Sequence, residues 1–211
     1  MLLRAHERNL LTPDRLTQGL RTINLASDRL VVLTNDLLDV SRIRLGQLPL
    51  RPRPFDVAAL VRDLAARVGG ELGPSHRLVV DVPDDPCRVV GDPDRIEQVL
   101  ANLVENAVKY SIEGGTITVR LRPERDGVLV QVQDSGIGLP PGAEEAIFEP
   151  FGRAANAIQR NLPGLGLGLY ISRSIAQRHG GSLSAESGGD GQGTTFSLWL
   201  PGTCDGRTVE R

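Results

Sequence analysis

Between Leu48 and Asp56 the chain places three prolines in nine residues, LPLRPRPFD. Proline lacks an N–H, fixes φ and drives the residue before it out of the helical region, so no helix runs through this stretch. The chain is thereby cut into a helical part and a mixed part joined by an extended linker at residues 48–56. Before the cut, Ile23, Leu30, Leu33, Leu37 and Val40 recur at helical spacing from Pro13 to Gly46, with Thr12 as N-cap and Pro13 in the first turn. A helix this long with one apolar stripe needs a partner helix to cover it. Only eleven residues precede Thr12, so residues 1–47 are expected to be a helical hairpin, mainly its second helix, with the first arm cut short.

Beyond the linker the pattern changes. A helix is expected at 57–73, then short strands at RLVVDV and CRVV, then a helix with Asp92 as N-cap and Pro93 after it. GTITVRLR and VLVQVQD alternate apolar and polar residues around a Pro/Asp/Gly turn, which predicts a hairpin buried on one face. A further helix runs to His179 with Gly180 in the C-terminal capping position, and SLSAES and TTFSLWLP flank the turn GGDGQG. Mostly antiparallel strands mixed with helices predict an α+β fold, a two-layer α/β sandwich over residues 57–201, followed by a flexible tail at 202–211.

A hydrophobic content of 40% supplies a core for this domain. The net charge of -2 gives no basic footprint for nucleic acid, so phosphate recognition is expected to be local. Cys87 and Cys204 show no CxxC spacing and indicate neither a disulfide framework nor zinc, which fits a reducing, cytoplasmic setting. No apolar run approaches the roughly 18 to 20 residues that span a bilayer, and MLLRAHERNLL is charged too early and is too short for a signal peptide. The chain as given is expected to be soluble, with any membrane tether in a larger parent protein.

Three stretches carry candidate chemistry. In the helix after Asp92, Asn102, Asn106 and Lys109 lie at i, i+4 and i+7 beside the core-facing stripe. They are either a solvated polar face or a ledge for a magnesium-bound polyphosphate, with an amide oxygen on the cation and the ammonium near phosphate. In DSGIGLP, Asp134 stands at a strand end with Gly136 and Gly138 after it. It either caps a β-turn or accepts a hydrogen bond from an exocyclic amine such as that of adenine. In PGLGLGLYISRSIAQRHGG, Gly164, Gly166 and Gly168 precede a helix and either offer backbone N–H groups to an anion or act as a hinge. The stretch lacks the GK[ST] ending of a P-loop. The polar, alanine-rich segment in FEPFGRAANAIQRN is expected to be a mobile lid, from about 152 to 163, anchored by Phe148 and Phe151.

In order and spacing over residues 53 to 201, NLVENAVKY, DSGIGLP, FEPFGRA, PGLGLGLYI and GTTFSLWLP resemble the motif series of the catalytic ATP-binding domain of sensor histidine kinases. The resemblance implies a Bergerat ATP-binding fold. It implies that Asn106 ligates Mg²⁺, that Asn102 and Lys109 contact the phosphates of ATP, and that Tyr110 lines the adenine site. By the same transfer Asp134 reads the adenine amino group, Gly136 and Gly138 shape its pocket, and Gly164, Gly166 and Gly168 border the phosphates. Leu169 belongs to the same nucleotide site, Thr195 would act through water on the adenine side, and Arg153 would be a lid residue.

The stretch from Asp28 to Val57 is similar to the second helix and linker of the family's dimerisation and phosphoacceptor hairpin, which implies a homodimeric parent and a response-regulator receiver domain as partner. HERNLLTP departs from the family's His-Glu-Leu-Arg-Thr-Pro: Arg8 comes one position early, Pro13 two positions late. His6 is therefore expected not to be the phosphoacceptor. His76, in a loop, and His179, at a helix C-terminus where the dipole favours a partly protonated imidazole, are expected to be structural. The expected function is the ATP-binding core of a kinase whose acceptor histidine lies outside this chain. The alternative is a non-catalytic, nucleotide-dependent module that pairs with a kinase or a regulator.

Overall fold

The computed structural model describes residues 12–204 of the 211. It divides into two compact units, one reaching Gly46 and one starting at Gln47. The first is a single helix, α1 (Pro13–Arg44), whose N-cap Thr12 accepts a hydrogen bond from the N–H of Arg15 and which is followed by a turn with Gly46 at φ +70°. His6 lies outside the described residues.

The second unit runs β1 (Arg53–Asp56), α2 (Val57–Glu71), β2 (His76–Asp81), β3 (Cys87–Gly91), α3 (Pro93–Tyr110), β4 (Gly115–Glu124), β5 (Gly127–Gln133), α4 (Ala143–Ala146), α5 (Ala155–Gln159), α6 (Gly168–Arg178), β6 (Ser182–Glu186) and β7 (Thr195–Cys204). The strands form one sheet in the order β1-β3-β7-β5-β4-β2, with β6 also paired to β7. Only β2 and β4 run parallel. Val128, Val130 and Val132 of β5 and Phe196, Leu198 and Leu200 of β7 are buried, while the residues between them are more exposed. This period of two puts the core on one sheet face. Ile96, Val99, Leu100, Leu103 and Ala107 make the apolar stripe of α3 that meets it. The result is the two-layer sandwich expected from the sequence.

Four expectations are corrected. The linker is unpaired only in part, because Arg53–Asp56 forms an edge strand with β3, a position that accepts proline. The tail begins later, since residues 202–204 continue β7 and pair with β3. That same register sets Cys87 directly opposite Cys204, and the two form a disulfide across 117 residues of sequence. Spacing along the chain could not reveal a pairing made by strand register, and the cysteines no longer argue for a reducing setting. His76 opens β2 rather than sitting in a loop, with Nε2 2.9 Å from the carbonyl of Ser111.

His179 is the fifth correction. Its Nε2 accepts the N–H of Asp92 at 2.9 Å and its Nδ1 donates to the carbonyl of Ile175 at 2.8 Å, a pattern that requires a neutral ring protonated on Nδ1. Asp92 is a junction. Its Oδ1 caps α3 through the N–H groups of Asp94 and Arg95, and its Oδ2 accepts the N–H of Arg51. Burial pulls its pKa upward, but these three N–H donors and the charge of Arg95 outweigh burial and hold it below the usual carboxylate range. Beside it, Arg178 donates to the carbonyl of Leu48 at 2.8 Å.

Candidate nucleotide site

The last three turns of α3 present Asn102, Asn106, Lys109 and Tyr110, all half-buried. Helix α6 packs alongside α3. The glycine-rich stretch meets these side chains. A Cβ at Gly164 would lie 2.7 Å from Lys109 Nζ, and one at Gly168 would collide with Asn102 Oδ1. Gly166 is in the left-handed region at φ +73° and its bare Cα faces the carbonyl of Gly152 at a distance that leaves no room for a side chain. The bare backbone is thus required by close approach, which argues against a mere hinge.

Within this face the polar groups are linked. Asn102 Nδ2 donates to Ser172 Oγ at 3.0 Å, and Asn106 Nδ2 donates to Asn102 Oδ1 at 3.4 Å. The ammonium of Lys109 donates to the hydroxyl of Tyr110 and lies 4.6 Å over its ring. Leu169 is half-buried in the first turn of α6.

At the C-terminal end of α3 the second motif joins the first. The carbonyl of Tyr110 accepts the N–H of Ile137 and would stand 2.5 Å from a Cβ at Gly136. Asp134, 6% exposed, takes the N–H groups of Gly136 and Thr194 on Oδ1 at 2.8 and 3.2 Å. Its Oδ2 has no hydrogen bond among the described residues. Burial raises the pKa of Asp134 above the ordinary carboxylate value, against the two N–H donors that lower it. Gly138 is at φ +66° with its Cα against the carbonyl of Gly189, so DSGIGLP is held by the turn GGDGQG.

The sequence missed two residues here. Thr194 is buried and bonded to Asp134 through both its N–H and its carbonyl. Thr195 begins β7 opposite Gln133 and Glu186 and lines a polar hollow of about 310 Å³ with them. Asn156 was unsuspected: its Nδ2 donates to the carbonyls of Ile137 and Gly138 and to Asp190 at 2.8 to 3.3 Å, while its buried Oδ1 has no partner among the described residues.

The expected lid is a short helix, α5, with Ala154 and Ala157 buried and Asn156 clamped to DSGIGLP. Arg153 donates to the carbonyl of Leu162 within the same segment, and its buried Nε has no partner among the described residues. Only one of the two aromatic anchors is buried. Phe148 packs edge-on to Phe196 at 6.5 Å with the Arg173 guanidinium 3.7 Å over its ring, and Arg173 also grips Glu145 with both terminal nitrogens. Phe151 is 57% exposed at φ +64°.

A sequence model of the histidine kinase-, DNA gyrase B- and HSP90-like ATPases matches residues 91–203. The chain belongs to this family. Similar proteins include the circadian input-output histidine kinase CikA of Synechococcus elongatus, 34% identical over 89% of this chain and 25% of its own length. The sensor protein TorS of Escherichia coli is 38% identical over 86% of this chain and 20% of its own length. The chain thus spans a quarter or less of these relatives. Among solved structures, the mycobacterial sensor histidine kinase MprB superposes with a TM-score of 0.63 at 29% identity, over 73% of this chain and 99% of that one. Full-length ShkA in complex with AMPPNP superposes at 0.76 with 26% identity, over 92% of this chain and 40% of that one.

This ATPase-family architecture makes one glycine a sharp probe. Alanine at a helix position usually gains stability over glycine by roughly 0.5 to 1 kcal/mol. Gly168→Ala instead has to displace Asn102, and it is expected to forfeit that gain and to weaken ADP binding about tenfold or more, the value of one hydrogen bond to a charged group. Calorimetric titration with ADP checks it.

Proposed function

We propose that this chain is the ATP-binding catalytic core of a two-component sensor histidine kinase, and that it transfers the γ-phosphoryl group of ATP to a histidine outside residues 12–204. The observation that carries this reading is the meeting, around Tyr110, of a buried carboxylate with one free oxygen and a helix face of amides and an ammonium fitted to a bare-backbone loop. Asp134 Oδ2 accepts from the adenine amino group, while Gly136 and Gly138 leave room for the base and Tyr110 flanks it. Lys109 and the N–H groups around Gly164, Gly166 and Gly168 receive phosphate oxygens. Thr194, rather than Thr195, supports the adenine end.

Mg²⁺ fits the donor set. No three His, Cys, Asp or Glu side chains gather among the described residues. The oxygen of Asn106, free of hydrogen bonds there, offers one ligand, which suits an ion that takes its others from phosphate and water. When bound, the ion would neutralise phosphate charge. The protein's contribution is then to orient the nucleotide and place charge around it, the main part of phosphoryl-transfer catalysis.

Helix α1 belongs, in this reading, to the dimerisation hairpin of residues 1–47. Leu20, Ile23, Leu30 and Leu37 are exposed by 51% or more, which suits a helix that pairs in a homodimeric parent. Among the described residues no helix is long and apolar enough to cross a membrane. The phosphoryl group would pass onward to an aspartate of a response-regulator receiver domain.

The test is transfer in trans. With labelled ATP and a separate, intact phosphoacceptor hairpin, label is expected on the hairpin's histidine. ADP binding by calorimetry with no transfer at any protein ratio would overturn the kinase assignment in favour of the non-catalytic module.

A further inference from the structure

The lid segment is closed on itself by its own hydrogen bonds. Arg153 at its start donates to the carbonyl of Leu162 at its end, and the N–H of Leu162 bonds to the carbonyl of Ala157. Among the described residues, Asn156 is the one lid side chain that hydrogen-bonds the loop following Asp134. From α5 its Nδ2 donates to the carbonyls of Ile137 and Gly138 at 3.3 and 3.0 Å, and to Asp190 of the turn GGDGQG at 2.8 Å.

These partners decide which end of the amide lies where. Backbone carbonyls and an ionised carboxylate accept and cannot donate, so only the NH₂ end of Asn156 suits them. The reversed amide would set its oxygen against three oxygens. Keeping this orientation leaves Oδ1 buried with no partner among the described residues, a cost that the donor end offsets. The two carbonyls depend on Asn156 unequally. Ile137 is also held through its N–H by Tyr110 and through its carbonyl by Gly191, whereas Asn156 is the only donor to the Gly138 carbonyl among the described residues. Gly138, at φ +66°, belongs to the wall that leaves room for the base. The lid therefore helps to place that wall, and its chain runs on to Gly164 on the phosphate side.

We propose that Asn156 is a positioning residue for the nucleotide: by tying the lid to the carbonyls of Ile137 and Gly138 it couples the placement of the lid to recognition of the base at Asp134. The inference rests on the nucleotide reading given above. Asn156 acts through the backbone of the loop. Releasing the lid loosens the wall, and by linkage a base bound against that wall strengthens the lid's attachment by the same factor.

The experiment is ADP titration by calorimetry of the full chain carrying Asn156→Ala, Asp134→Asn, both, or Asp190→Ala, with hydrogen exchange of the lid measured on each without nucleotide. Asn156→Ala is expected to weaken ADP binding about tenfold, the order of one to two lost hydrogen bonds, and to speed exchange at the N–H groups of Ala157 and Ile158. In the Asp134→Asn background the same substitution is expected to cost no more than about twofold, because the base contact it supports is already gone. Asp190→Ala leaves both carbonyl bonds in place and is expected to keep affinity within about threefold. Should a thermal unfolding scan show the alanine variant unfolded, Asn156→Leu, close in shape and without a donor, carries the same expectations. Faster lid exchange with unchanged ADP affinity would reduce Asn156 to an anchor of α5 and overturn the proposal. So would weaker binding with unchanged lid exchange, equal losses in the two backgrounds, or a loss in Asp190→Ala as large as in Asn156→Ala. A wild type that binds no ADP, or full affinity in Asp134→Asn, defeats the nucleotide reading itself, a result distinct from all of these.

Discussion

Asp134→Asn lowers ADP affinity by roughly 10- to 100-fold, because it removes a charged acceptor whose hydrogen bond is made in a site closed to water; such bonds are worth about 1.5 to 3 kcal/mol. The amide also presents an NH₂ end where the ligand's own amino group would lie. Gly136 N and Thr194 N already saturate Oδ1, so the loss falls on the ligand rather than on the loop. Titration by calorimetry measures it, and affinity unchanged within about twofold would remove Asp134 from the site. The pH dependence follows with a definite sign. Burial raises the pKa of Asp134 in the folded chain, so protonation begins at a higher pH than for a free carboxyl. ADP affinity is therefore expected to fall as pH is lowered through a window above the ordinary carboxylate range, with the asparagine variant as the baseline that lacks this transition. The same shift makes ionised Asp134 a cost to folding, so its contribution to stability declines as pH rises through that window.

Reduction of the Cys87–Cys204 bond lowers the unfolding free energy by about 5 kcal/mol in the chain-entropy treatment of a loop this long. The sequence separation is 117 residues, and the bond ties the end of β7 to the strand that leads into α3. For a domain of this size that corresponds to a drop of roughly 10 to 20 °C in the unfolding midpoint. Because Cys87 is fully buried, the Cys87→Ser/Cys204→Ser double variant is the cleaner comparison. Equal midpoints for the oxidised wild type and the double variant would show that the bond adds nothing.

What could be read from the sequence was what local chemistry dictates. Thr12 and Pro13 open α1, Asp92 and Pro93 open α3, and alternation marks β4 and β5. Helical spacing alone put Asn102, Asn106 and Lys109 on one face, and α6 does meet that face. What stayed hidden was set by register and tertiary contact. The cysteine pair depends on how β3 aligns with β7, and the neutral state of His179 on an N–H from a residue 87 positions away. The segment after Phe151 has a lid's composition, yet buried Ala154 and Ala157 and the amide of Asn156 hold it against DSGIGLP.

The junction at Asp92 has a mechanical meaning. One carboxylate grips the backbone at Arg51 with one oxygen and the first turn of α3 with the other, so the helix has a handle at its head. Asn102 lies nine residues past Pro93, about 14 Å along a rigid rod. The hold on the proline-bearing strap at Arg51 and the amides of the site are thus joined by one unbroken helix, with no turn or loop between them.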